Sequence, residues 1–144
     1  MNKKNWLKDA SGMTLIEIMV VVTILGMIAA AVTVSVTRQM KKAQVSTAKT
    51  QMKSLEEALE HYRLEAGSYP STEQSLNALV TPPAGKAGEN FPEEGFIKKV
   101  PKDPWGEEFR YTSPGANGHP YEIVSPGPDR QEGTSDDIKN WELE

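Results

Sequence analysis

With 144 residues and a net charge of −4, the chain has room for one small domain plus an anchor and none for a second folded unit. The acidic balance argues against nucleic-acid binding by phosphate neutralisation, which needs clustered Lys or Arg. The lack of cysteine excludes disulfides and thiolate metal sites.

The first element is a polar stretch carrying Lys3, Lys4 and Lys8 and ending at Gly12. An uncharged run, residues 18–37, follows closely, with the Glu17 carboxylate at its N-terminal edge. As a helix such a run rises about 30 Å, the hydrocarbon thickness of a bilayer. The mean hydropathy of the whole chain is only −0.51, so the remainder is strongly polar. A secretory signal peptide places its small-residue cleavage site after the apolar run. Here the small residue, Gly12, comes first, so cleavage there would leave the apolar helix on the mature protein. Charge does not orient the span. Lys3, Lys4 and Lys8 favour a cytoplasmic N-terminus, but Arg38, Lys41 and Lys42 follow the run directly. By position alone Glu17 has two readings: an acid in the headgroup zone without a partner, or an acid neutralised by an ammonium at the hydrocarbon edge.

Between Met13 and Ala66 the only glycine is Gly26, whereas all ten prolines lie at or beyond Pro70 and nine of the eleven glycines at or beyond Gly67. This composition break predicts one long helix ending near Ala66, about 80 Å if continuous. In its second half Val45, Ala48, Met52, Leu55, Leu59, Tyr62 and Ala66 recur at spacings of three and four, a stripe for packing. Lys49, Lys53, Glu56, Glu57, Glu60 and Arg63 occupy the other face. A coiled coil is one reading of the stripe; a helix packed on its own sheet suits better a stripe leading into a Pro/Gly-rich region.

Residues 71–80 read as a short helix, with Ser71 as N-cap and Gln74 completing a capping box. Residues 82–95 read as a loop. Strand patterns occupy 108–112, 121–125 and 138–141, and the turn 114–118 joins the first two as a hairpin. Trp105, in Asp103-Pro104-Trp105-Gly106, reads as a turn aromatic sealing the core, and Trp141 as doing so from the last strand. An amphipathic helix on a three-stranded antiparallel sheet is the minimal core available.

The last segment, 126–137, gathers Asp129, Asp136 and Asp137 between glycines. Hard cations such as calcium take six to eight oxygens from carboxylates, carbonyls and water. The spacing does not match the EF-hand, and on spacing alone a solvated acidic turn is the plainer reading. His61 and His119 stand far apart with no Ser or Cys motif beside them and read as surface residues. No phosphate-binding loop, dinucleotide fingerprint or zinc spacing is present.

Gly12-Met13-Thr14-Leu15-Ile16-Glu17 before the apolar run resembles the class III leader of type IV pilins and their relatives. Gly67-Ser68-Tyr69-Pro70-Ser71-Thr72-Glu73-Gln74 is similar to a Y-P-T-T-E-Q segment, Lys99-Val100-Pro101-Lys102-Asp103-Pro104-Trp105-Gly106 to K-x-P-x-D-P-W-G, and Ser125-x-Gly127-x-Asp129 to an S-x-G-x-D loop. Four ordered motifs across the chain resemble the major pseudopilin family of the type II secretion system (general secretion pathway protein G), in the type IV pilin-like superfamily.

The resemblance implies an α+β, type IV pilin-like fold: a long N-terminal helix, transmembrane in its first half, on a three-stranded antiparallel sheet, with a short second helix and a calcium-binding loop. It implies a leader, 1–12, cut after Gly12 by a prepilin peptidase that methylates Met13; a transmembrane and assembly helix, 13–37; and a periplasmic domain, 38–144. Glu17 becomes the assembly residue, paired with the free amine of a neighbour's Met13. Calcium is assigned to the Pro126 carbonyl, Asp129, Thr134, Asp136 and Asp137. The product would be a structural subunit, not an enzyme, that polymerises with itself into a pseudopilus driving export of folded proteins. It would sit single-pass in the inner membrane of a Gram-negative cell and work with minor pseudopilins, an assembly platform with its cytoplasmic ATPase, and an outer-membrane secretin. Three departures from the family pattern are Met13 for Phe, Val34 for a helix proline, and Pro126 for Leu. A type IV pilin for adhesion or DNA uptake is the alternative of the same class, although many of those close a C-terminal loop with a disulfide. The alternative of another class is a membrane-anchored periplasmic enzyme or binding module, for which the sequence offers no convergent catalytic set.

Overall fold

The computed structural model describes residues 12–81, 91–92 and 94–143. Residues 1–11 of the expected leader, and most of the expected loop at 82–95, lie outside them. Helix α1 spans Leu15–Ala66, 52 residues, as the dearth of glycine and proline predicts. It ends where Gly67 takes a left-handed φ of 81° and its N–H reaches the Arg63 carbonyl at 2.8 Å. The chain forms two compact units, Met1–Met40 and Lys41–Glu144.

In the first unit every described side chain is exposed, including Ile18, Met19, Val22, Leu25 and Val34. This is the helix long and apolar enough to cross a membrane. Its threonines keep that surface apolar by turning inward: the hydroxyls of Thr23, Thr33 and Thr37 donate to the carbonyls of Met19, Ala29 and Thr33 at 2.7, 2.9 and 2.9 Å.

In the second unit α1 buries Ala48, Met52, Leu55, Leu59 and Tyr62 of the stripe read from spacing, together with Ala58, while Val45 and Ala66 of that stripe pack against the core partly buried. It packs on an antiparallel sheet of β1 (Arg110–Thr112), β2 (Glu122–Ser125) and β3 (Ile138–Lys139), in that order. Tyr111 pairs with Ile123 and Ser125 with Ile138, and all four are buried, so one sheet face supplies the core. Phe91 and Phe96 stand edge-on to Tyr62, at 6.1 and 6.0 Å between ring centres.

Three local expectations need correction. The capping box at 71–74 forms, with reciprocal bonds of 2.8 and 3.3 Å between Ser71 and Gln74, but no α-helix follows. Ser75 adopts a left-handed φ of 53°, and a short 3-10 helix, Leu76–Leu79, restarts under a new cap made by its hydroxyl. The tight turn buries Leu76, Ala78 and Leu79 together, and that packing overrides the cap. The last strand stops at Lys139 because Asn140 takes over the ladder with its side chain. Its carboxamide oxygen accepts the Ile123 N–H at 2.8 Å and its amide donates to Glu56 at 2.9 Å. Trp141 therefore does not seal the core; it is 37% exposed and stacks on His119 at 5.6 Å. His119 is half-buried there and His61 is exposed, while Trp105 packs on the core as read.

The four tyrosines supply a stability probe. Burial raises Tyr62, Tyr69 and Tyr121, and pushes Tyr111, whose hydroxyl donates to the Pro70 carbonyl at 2.8 Å, up to about 12. Each folded value lies above the unfolded one, so the unfolded chain releases protons first as pH rises. This contribution is intact below about pH 10 and is lost as pH approaches about 12. Tyrosinate absorbance should rise late and cooperatively with unfolding; independent titration of all four near pH 10 would contradict it.

Candidate functional sites at the helix N-terminus and the acidic loop

Gly12 and Met13 precede α1 in exposed, non-helical backbone, and Met13 is 61% exposed. Glu17 sits in the first turn of α1, where an acid favours the helix dipole. It also closes a capping box with Thr14. The Thr14 N–H donates to Glu17 Oε2 at 3.4 Å and the Glu17 N–H to Thr14 Oγ1 at 3.3 Å. The sequence reading missed this use of Glu17, although Thr14-x-x-Glu17 before an apolar run is the standard signal for it.

The acidic loop follows β2. Gly127, with φ 68°, turns the chain so tightly that a Cβ there would collide with the Asp136 carbonyl. Arg130 and Gly133 continue the bend with φ of 59° and 82°. The loop then closes on itself through its carboxylates. Asp136 Oδ2 accepts the Asp129 N–H at 3.1 Å, Asp129 Oδ1 the Gln131 N–H at 2.8 Å, and Asp137 Oδ2 the Gly133 N–H at 2.8 Å. The Thr134 hydroxyl lies between two acids, 2.6 Å from Asp136 Oδ1 and 3.5 Å from Asp137 Oδ1. That hydroxyl, and after it the Asp129 amide, hold the Asp136 carboxyl below its ordinary range.

Four of the five residues assigned to calcium are thus linked within the loop, and the fifth, Pro126, is buried at its entrance. Every donor in this set is oxygen, the chemistry a hard cation takes. Among the described residues, however, no three acidic or histidine side chains stand together as a ready metal-holding group. The Asp129 carboxylate accepts the Gln131 N–H through Oδ1. Two ion pairs tie the loop to its surroundings, Arg110 with Glu132, and Arg130 with Glu107 at 4.0 Å. Both are exposed, and such pairs contribute about 0–1 kcal/mol each.

Beneath the loop lies a polar junction that sequence reasoning did not connect. Asp103 is 4% exposed; its Oδ1 accepts the N–H groups of Trp105 and Glu107 at 3.0 and 2.8 Å. The hydroxyl of Ser125, itself fully buried, donates to Asp103 Oδ2 at 2.7 Å, and Ser125 Oγ accepts the Gly127 N–H at 3.3 Å. Both residues stand inside motifs picked out from sequence, but nothing local signals a pairing across that separation.

Comparison with known proteins covers both halves of the chain. Residues 7–33 match the prokaryotic N-terminal methylation motif and residues 35–141 match type II secretion system (T2SS), protein G. The type II secretion system core protein G of Pseudomonas aeruginosa is 45% identical over 139 residues, covering 94% of this chain and 97% of that protein. The protein of the same name from Vibrio cholerae is 42% identical over 141 residues, covering 96% of each. Among solved structures, the major pseudopilin from the type 2 secretion system of enterohaemorrhagic Escherichia coli superposes with a TM-score of 0.63 at 38% identity. It covers 73% of this chain and 92% of that one. A capped apolar helix that leads into this helix-on-sheet domain, matched along almost its whole length, places the chain in the type II secretion system protein G family.

Proposed function

We infer that the chain is the repeating structural subunit of a pilus-like filament, the pseudopilus of type II secretion. The observation that carries this reading is the N-terminal half of α1, whose apolar side chains are exposed among the described residues. Such a surface needs lipid before assembly and the same helix of neighbouring copies after it. The protein G match supplies the system in which that assembly works.

The finer steps are our reading of the same features. Prepilin peptidase cuts after Gly12 and methylates Met13, leaving 13–37 to span the inner membrane and 38–144 in the periplasm. Glu17 pairs with the Met13 amine of a neighbouring subunit. The subunit itself carries out no catalysis; minor pseudopilins, the assembly platform with its cytoplasmic ATPase, and the outer-membrane secretin complete the machine. Mass spectrometry of the protein purified from membranes should find a mature N-terminus at N-methylated Met13. Gly12→Trp should leave the full-length precursor, because the bulky side chain blocks the scissile bond. An intact Met1 in the wild type would overturn the processing scheme.

We also propose that the acidic loop holds calcium through the Pro126 carbonyl, Asp129, Thr134, Asp136 and Asp137. Support comes from the all-oxygen donor set and from the mutual repulsion of acids that a divalent cation would relieve. A ligand that binds only the folded state at a hundredfold its dissociation constant stabilises by about 2.7 kcal/mol. That is on the order of 10 °C in melting temperature for a domain of this size. The full-length protein in detergent should melt that much higher in calcium than in chelator, and Asp129→Ala or Asp136→Ala should abolish the difference. Equal melting of the wild type in both would leave the loop an ordinary acidic turn.

A further inference from the structure

We infer that Asp103 and Ser125, which lie outside the acidic loop, are positioning residues that aim the Pro126 carbonyl for its cation; this rests on the calcium reading above. Pro126 C=O and Gly127 N–H belong to one peptide plane, and in a trans peptide they point in opposite directions. Whatever holds the N–H therefore also sets the carbonyl. Here the holder is Ser125 Oγ, which accepts the Gly127 N–H at 3.3 Å.

A serine hydroxyl normally rotates to suit its surroundings. This one is fixed, because its proton goes to Asp103 Oδ2 at 2.7 Å. With the proton committed, the lone pairs face Gly127. Asp103 is held in turn by the backbone amides of Trp105 and Glu107, on its other oxygen. The path from Asp103 onward is buried: Asp103 is 4% exposed, Ser125 is 0%, and Pro126 and Gly127 are buried with them. Burying a carboxylate is costly unless its oxygens are satisfied. Among the described residues Asp103 has no cationic partner, and three hydrogen bonds replace one.

The direction of each bond matters. Ser125→Ala removes the acceptor and frees the Pro126–Gly127 peptide to rotate. Asp103→Asn keeps an oxygen for the two amides but presents an N–H to Ser125. The hydroxyl then loses the acceptor that fixed its proton, so the lone pair that takes the Gly127 N–H is no longer held in one direction. Both changes disturb the carbonyl without touching a proposed ligand. Ser125→Thr retains the hydroxyl.

Calcium chloride titrated calorimetrically into the full-length protein in detergent tests this, with melting in chelator measured in parallel. Ser125→Ala and Asp103→Asn should each raise the dissociation constant for calcium about 10–100-fold, the range for groups that orient metal ligands. Ser125→Thr should bind close to wild type. A purely structural role would lower melting equally with calcium and with chelator and leave the dissociation constant unchanged, which would overturn the inference. If Ser125→Ala does not fold by circular dichroism, Asp103→Asn decides by the same criterion. Failure of the wild type to bind calcium would overturn the calcium reading and this inference together; wild-type affinity in the two variants would overturn this inference alone.

Discussion

Replacing Glu17 by alanine is expected to leave the chain in the membrane and processed after Gly12, yet unable to form filaments. The uncharged run at 18–37 is untouched, so insertion persists. Two other things are lost. One is half of the capping box, the bond from the Thr14 N–H to Glu17 Oε2, worth about 0.5–1.5 kcal/mol; the backbone N–H of residue 17 still donates to Thr14 Oγ1. The other is the proposed partner of a neighbour's N-terminal amine. Removing one member of a buried ion pair costs about 3–5 kcal/mol, because the remaining charge stays desolvated and unpaired. At about 1.4 kcal/mol per factor of ten, that weakens each subunit contact by two to four orders of magnitude. The pairing term is therefore the larger one. Glu17→Gln separates the two, since glutamine can close a capping box but carries no charge. Both variants should yield no filaments by electron microscopy. Normal filaments from Glu17→Gln would show that the cap alone matters and would refute the pairing.

The features legible in sequence are those fixed by local composition and period. The helix over Leu15–Ala66 followed from the placement of glycine and proline, and its buried stripe from spacing. What escaped was decided by side chains competing with backbone. Asn140 replaces a strand's ladder bond with its own carboxamide, so the strand ends early and Trp141 is carried to the surface. Ser75 interrupts the second helix because the apolar residues after it bury better on a tighter turn. In the acidic loop the clustering of acids was readable, with an acidic turn the plainer reading and calcium assigned by resemblance; the hydrogen bonding of those acids to loop amides was not readable. Least legible was the Asp103–Ser125 pair, whose bond exists only once the turn at 103–107 has been laid beneath the end of β2. Thr14 and Glu17 are different: a Thr-x-x-Glu spacing before an apolar run stands in the sequence itself.

Gly127→Ala is expected to destabilise the domain by about 2–5 kcal/mol and to remove the calcium response proposed for the acidic loop. Two costs combine. A non-glycine residue in the left-handed region is worse by about 1–2 kcal/mol, and Gly127 holds a φ of 68°. The added methyl would also collide with the Asp136 carbonyl, a backbone atom that cannot rotate away as a side chain would. Overpacking of that kind costs about 1–3 kcal/mol more. For a small domain this is a large share of the about 5–15 kcal/mol that native proteins have in all. Gly133 is the internal control. Its φ of 82° carries the same backbone cost, but a Cβ there meets nothing within 4 Å. Gly133→Ala should therefore lose only about 1–2 kcal/mol, and its amide remains free to donate to Asp137. Melting the full-length variants in detergent, with calcium and with chelator, measures both effects. Gly127→Ala should show the larger loss and no calcium increment, while Gly133→Ala keeps most of the increment. Equal losses at the two glycines would mean that the approach of Gly127 to Asp136 does not constrain the loop.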